Sequence, residues 1–266
     1  MKSSSSLLIV VAALFGLASG EKEQPEDTPG AAQAAIISDN FVCQHPPYKV
    51  QLVSTSPLVI YLKGFLTEAE RTHLKAVGKS TFNSTPTKTG PHSIYIPRDA
   101  VVECIEERTL AFQGYASSHT HLEPFQLDRH TPDTAPDEPQ PDWFADQSYR
   151  LAENGGNRIS SLHALVHVAP DIADGGINFP LLNAPRDEHW CDVVNCDGAW
   201  EEGVTFRPVE GNAVYWENLD ADGSGREEVV KRGLPVAKGE KIGLNIWTRQ
   251  GVLSNEIREK YGYPSV

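Results

Sequence analysis

Four cysteines, nine histidines and a late cluster of lysines are the residues in this chain that could do chemistry. Cys191 and Cys196 lie five apart around Asp192-Val193-Val194-Asn195, which suits closure of a small loop. Cys43 and Cys104 are the remaining pair, although four cysteines allow three connectivities. Zinc would ask for Cys-x-x-Cys, a spacing the chain lacks. His163 and His167 alternate onto one face of a strand pattern, but about 13 Å apart at strand rise, too far to share one ion unaided. Lys231, Arg232, Lys238 and Lys241 concentrate positive charge in an acidic chain and could hold an anion. Asn83-Ser84-Thr85 is an acceptor for N-glycosylation in a polar Ser/Thr/Pro stretch that reads as an exposed loop.

These residues must be positioned by the elements around them. Leu58 to Leu62 is a β-rich run. Thr67-Glu68-Ala69-Glu70 is a capping box and Gly78 a natural stop, so a helix is expected over 68–77. A second helix is expected over 98–113, with Val102, Ile105, Thr109 and Phe112 on one stripe and Gly114 ending it. Residues 125–130 read as a strand. Residues 131–142 carry four prolines and can be neither helix nor central strand. Residues 159–168 alternate, with Leu162, Ala164, Val166 and Val168 on one face and Ser161, His163, Leu165 and His167 on the other. Short strands are expected at 176–180, 204–207, 212–216 and 241–248. Helices early and short strands late predict a helix-supported β-barrel or sandwich.

Composition narrows the function. With 266 residues, 36 acids against 23 bases and a net charge of −13, the chain lacks the clustered cations that nucleic acid requires. An acidic surface also disfavours anionic membranes. Residues 1–20 hold one charge, Lys2, then an apolar stretch and Ala18-Ser19-Gly20, the pattern of a cleaved secretory signal. No membrane span is expected in the mature chain. Residues 21–42 are acidic and Pro/Ala-rich and read as a flexible lead-in, with one domain over 43–266. Secretion permits disulfides. The last residues are no retention signal, so the endoplasmic reticulum lumen and the exterior stay open as destinations.

The runs GVTFRPVEGNAVYWENL and GLPVAKGEKIGLNIWTR, with CIEERTLAFQG, DWF at 142–144, NRISS at 157–161 and GGINFP at 175–180, occur in the order of one family. From about Pro57 to Arg249 the chain resembles the catalytic domain of the prolyl 4-hydroxylase family of iron(II)- and 2-oxoglutarate-dependent dioxygenases. The resemblance implies an α+β fold, a double-stranded β-helix (jelly-roll) core with supporting N-terminal helices. It also implies a facial triad of two histidines and one carboxylate that leaves positions for 2-oxoglutarate and dioxygen, with ascorbate as a further cofactor.

Position by position the chain departs from that pattern. The His-x-Asp place reads Gln140-Pro141-Asp142, so the carboxylate is kept and the first histidine is Gln140. The second histidine's place is Lys231, whose ammonium would repel a divalent ion. The lysine that pairs with the distal carboxylate of 2-oxoglutarate is kept as Lys241, ten residues beyond Lys231, and Trp247 is kept. A tyrosine of the co-substrate pocket becomes His130, and a Thr or Glu after the glycine pair becomes Ile177. His-x-Asp occurs nowhere in the chain, and His121-Leu122-Glu123, which mimics it, falls before the anchored region and reads as loop.

The leading expectation is a non-catalytic secretory-pathway protein on an oxygenase scaffold, with no cofactor, acting by binding. Lys231 and Asp142 would pair where the metal would lie. Its partner would be a proline-rich peptide or a catalytically competent relative. The alternative is an active dioxygenase of prolyl peptide or secondary metabolite, with iron, 2-oxoglutarate and ascorbate, drawing a replacement ligand from His130 or His163. A third reading is metal-free acid–base catalysis by Lys231, Asp142 and His130.

Overall fold

The computed structural model describes residues 41–84, 92–114, 118–145, 152–183, 185 and 187–266. The expected signal and nearly all of the lead-in lie outside the described residues. The elements in chain order are β1 (Lys49–Thr55), β2 (Leu58–Lys63), α1 (Glu68–Ser84), β3 (His92–Tyr95), α2 (Ala100–Gln113), β4 (Gln126–His130), β5 (Arg158–Val168), β6 (Ala173–Asp174), β7 (Ile177–Phe179), β8 (Val204–Phe206), β9 (Ala213–Glu217), β10 (Arg232–Gly233), β11 (Val236–Lys238), β12 (Lys241–Arg249) and α3 (Asn255–Lys260).

Seven strands form one antiparallel sheet in the order β1-β2-β9-β5-β12-β4-β3. A three-stranded sheet, β10-β7-β8, and a pair, β11-β6, complete the architecture. Strand alternation gives the large sheet two unlike faces. Leu62, Leu127, Leu162, Ala164, Leu244 and Ile246 belong to a cluster shared with Leu74 and Phe82 of α1 and Val102 and Ile105 of α2. Tyr61, Val214 and Trp216 on the other face pack with Ile177, Phe179 and Phe206 of the small sheet. That second cluster fills only part of the inner face. The remainder carries buried His130, His163, Lys241 and Asn245, with half-buried Asp128.

The helices begin where capping chemistry allows. Thr67 Oγ1 accepts from the Glu70 N–H and Glu70 Oε2 from the Thr67 N–H, the reciprocal box that satisfies two free donors. α1 runs on past Gly78 to Ser84, so the expected stop at 77 is corrected. Gly78 serves packing: a β-carbon there would lie 2.9 Å from the Phe82 ring and 3.3 Å from Leu127. Asn83 and Ser84 are therefore in the last turn of α1 rather than in a loop, and Thr85 lies outside the described residues. α2 starts two residues later than expected because Asp99 caps it, accepting from the N–H groups of Val101 and Val102. Gly114, at φ 70°, ends it as expected.

Two disulfides are present, Cys43–Cys104 and Cys191–Cys196. The first ties the approach to β1 onto α2. Nearby, Arg108 is fully buried and donates to both oxygens of Glu70 and to the carbonyls of Phe65 and Gln44.

Candidate functional site

Asp142 is buried at the start of the segment leading away from the proline-rich stretch. The Lys231 Nζ lies 3.7 Å from its Oδ1. Burial would raise the Asp142 carboxyl, but the charges of Lys231 and Arg158, with hydrogen bonds from Ser161 and Trp247, hold it below the usual carboxylate range. Main chain brings the pair together: Gln140 N–H donates to the Lys231 carbonyl at 2.8 Å, and Lys231 N–H to that of Gln140 at 3.1 Å. Gln140 itself is exposed. The segment beyond is anchored by Arg158, whose guanidinium lies 3.9 Å from the Trp247 ring centroid and donates to the Asp142 carbonyl. Glu123 receives Arg158 and Arg249, so this residue, expected in a loop, neutralises two cations, half-buried Arg158 and buried Arg249.

Pairing between β4, β12 and β5 sets the rest of the site. Lys241 stands opposite His130, Gly243 opposite Asp128, and Asn245 opposite His163, so all these positions face inward. His163 Nδ1 lies 2.7 Å from Asn245 Oδ1, and the amide nitrogen of Asn245 donates to Asp128. That arrangement assigns the imidazole proton to Nδ1 and leaves Nε2 an acceptor without a partner. Burial, reinforced by Lys241 and Lys231 against the pull of the Asn245 bond, pushes His163 down to about 3. Burial, then Lys241, His163 and Lys231, push His130 down to about 3 as well. Both rings are neutral at pH 7. Burial raises the Asp128 carboxyl.

Lys241 is buried and donates to the Gly175 carbonyl at 2.5 Å. Burial lowers it to about 8, while Asp137 of the proline-rich segment pulls the other way. The cavity it shares with Tyr61, His163, Leu165 and Asn212 measures about 10 Å³. That is room for about one water molecule.

His167 departs from expectation. Gly243 pairs with Leu165 and Ile242 with His167, so β5 carries one extra residue at Val166. This bulge exchanges the faces. His167 therefore turns toward α1, where its Nε2 lies 3.1 Å from Lys75 Nζ and its Nδ1 lies 3.3 Å from Glu210. His163 and His167 do not share a face. Trp247 contacts Asp142 and Arg158 rather than Lys241. Among the described residues, one group of three His, Cys or carboxylate donors lies within 4.8 Å: Cys43, His45 and Cys104, whose sulfurs form a disulfide.

Asn245 and Asp128 were not anticipated. The available signal was a lone polar residue inside the apolar run of β12, Lys241–Arg249, and an acid between Leu127 and Arg129 in β4.

The fold is similar to that of solved prolyl hydroxylases with a jelly-roll core. The viral collagen prolyl hydroxylase of Paramecium Bursaria Chlorella virus-1 superposes with a TM-score of 0.53 in its 2-oxoglutarate complex, at 19% identity, over 78% of this chain and 98% of that one. A truncated form of it gives 0.55 at 20% identity, over 79% and 97%. Prolyl 4-hydroxylase 1 of Arabidopsis thaliana is 27% identical over 222 residues, covering 77% of this chain and 74% of the relative. Prolyl 4-hydroxylase 5 of the same plant is 28% identical over 221 residues, covering 74% and 70%. No family model matches the sequence. The chain is prolyl 4-hydroxylase-like in sequence and in fold.

Proposed function

We propose that this chain is a secretory-pathway protein that uses a prolyl 4-hydroxylase-like scaffold for binding and not for oxidation. The observation that carries this reading is the approach of Lys231 Nζ to within 3.7 Å of Asp142 Oδ1. At the three positions that the resemblance assigns to iron, the chain offers one carboxylate, an exposed glutamine engaged through its backbone, and an ammonium group. That set does not fit iron(II), which favours two imidazoles and a carboxylate. The Lys231 charge balances the Asp142 charge in the metal's stead, since a buried charge persists only when paired. The two disulfides, the N-terminal signal pattern and the Asn83 sequon support a lumenal or secreted location, and no helix of the described residues is long and apolar enough to cross a membrane.

The test is titration of iron(II) into the purified protein, with and without 2-oxoglutarate, followed by calorimetry and charge-transfer absorption. Absence of binding, with circular dichroism unchanged, is expected. One observation favours a second reading, an active dioxygenase with an altered centre: the unpartnered Nε2 of His163, whose Nδ1 proton is held as it is in many metal-bound histidines. Micromolar binding that His163→Ala removes would establish that reading and overturn the first.

A further inference from the structure

Cys43 and Cys104 close a disulfide whose surroundings hold more than a disulfide needs. His45 Nε2 lies 3.5 Å from Cys43 Sγ and 3.5 Å from Glu107 Oε2, and Glu107 Oε2 lies 3.9 Å from Cys43 Sγ. Cys43, His45 and Cys104 present their ligand atoms within 4.8 Å of one another. The chain has no Cys-x-x-Cys, but two other spacings converge here. Cys43-x-His45 precedes β1, and Cys104-x-x-Glu107 lies along one face of α2. Around a tetrahedral zinc ion, bonds of about 2.0–2.3 Å to nitrogen, oxygen and sulfur set the ligand atoms about 3.4–3.8 Å apart. The separations among Cys43, His45 and Glu107 already lie at or beside that spacing. The two sulfurs are closer only because they are bonded to each other.

We propose that the reduced form of this chain binds one zinc ion through Cys43, Cys104, His45 and Glu107. The link between the approach to β1 and α2 is then a disulfide under oxidising conditions and a metal clip under reducing ones. Two thiolates and an imidazole suit zinc, whereas calcium or magnesium would ask for oxygen ligands. Buried Arg108 donates to Cys104 Sγ at 3.8 Å, which places a cation beside the thiolate that reduction leaves. Cys43, His45 and Glu107 are exposed, so a reductant and an ion can both reach the site through Cys43. The step is a thiol–disulfide exchange. A dithiol reductant gives two electrons and two protons and leaves as its own disulfide. The freed thiols of Cys43 and Cys104 then release two protons as zinc binds. Either link closes the same loop of 61 residues, so the metal restrains the unfolded chain as the disulfide does. The inference does not rest on the reading of the Lys231–Asp142 site.

The experiment uses the full protein carrying Cys191→Ser/Cys196→Ser, so that Cys43 and Cys104 are its only cysteines. It is reduced with a phosphine and titrated with cobalt(II), a spectroscopic stand-in, and then with zinc. The expected result is one cobalt per chain, with a thiolate charge-transfer band and the d–d absorption of a tetrahedral centre, both erased by zinc. Zinc should also raise the melting temperature of the reduced protein. The oxidised protein should show neither effect. The variant His45→Ala/Glu107→Ala should lose the tetrahedral spectrum yet still close its disulfide in air, since both residues are exposed. Absence of the charge-transfer band in the reduced protein would overturn the proposal. So would an unchanged spectrum in the His45→Ala/Glu107→Ala variant, which would mark cobalt held by two thiolates alone. If reduction unfolds the chain, circular dichroism decides: refolding on addition of zinc supports the site, and no refolding refutes it.

Discussion

The His163 imidazole packs against Gly243, so close that a β-carbon on Gly243 would come within 2.7 Å of Nε2. The two residues are therefore complementary in size. Gly243→Ala should lower stability by about 1–3 kcal/mol through overpacking. Adding His163→Ala should recover part of that loss, because neighbours sharing one space are not additive. Thermal melts of the two single variants and the double variant check this. Strict additivity would mean that the ring swings aside freely.

Lys231→Met keeps the side-chain stem and removes the charge. It leaves Asp142 buried with Arg158 as its remaining cation, and should cost about 1–3 kcal/mol. Asp142→Asn in the same chain should restore most of it. An unchanged melting temperature for Lys231→Met, or for Lys231→Ala, would show that the pair does not balance charge.

Acid should destabilise the protein at pH values where most of its carboxylates are still ionised. His130 and His163 titrate near 3 in the fold and near 6.5 in the unfolded chain. Between those values the unfolded state holds protons that the folded state does not, so stability falls as pH falls. The slope is about 1.4 kcal/mol per pH unit for each ring. Glu106 works in the opposite direction, since burial raises it to about 7. Its folded form holds an extra proton between 4.5 and 7, so its contribution falls as pH rises through that window. Urea unfolding between pH 7.5 and 5 should show the histidine slope reduced in His163→Asn and steepened in Glu106→Gln.

Opening Cys43–Cys104 releases a loop of 61 residues. The chain-entropy model puts the loss at about 4 kcal/mol, and much less for the five-residue loop at Cys191–Cys196. Paired Cys→Ser variants at each bridge, compared by urea midpoint, check the ranking.

The parts of the fold that could be read in the sequence were those specified locally. The Thr67–Glu70 box, the Leu58–Leu62 run, the Gly114 stop and the alternation of β5 are each contained in one stretch of chain. The pairing of Lys231 with Asp142 was also readable, because two ordered motifs placed both at one mouth. The direction of His167 was not readable. A single extra residue at Val166 reverses every side chain after it, and composition does not mark a bulge. Nor was the Asn245–Asp128 contact, which joins positions 117 residues apart and exists only once β12 lies beside β4. β1 and β3 escaped notice because they are edge strands, with Val50 and Leu52 of β1 left half in water.

The place of β12 has a consequence for the order of events during synthesis. It lies between β5 and β4 and is made last among the strands, after residue 240. Until it emerges, β4 and β5 have no common neighbour, and the apolar side of the sheet cannot close on α1 and α2. The nascent chain must therefore carry β1-β2-β9-β5 and β4-β3 as two separate pieces of the sheet, with closure waiting on contacts of long sequence separation, which form slowly. A ribosome-bound intermediate stalled before residue 241 should engage chaperones, and release of the last nine-residue strand should end that engagement.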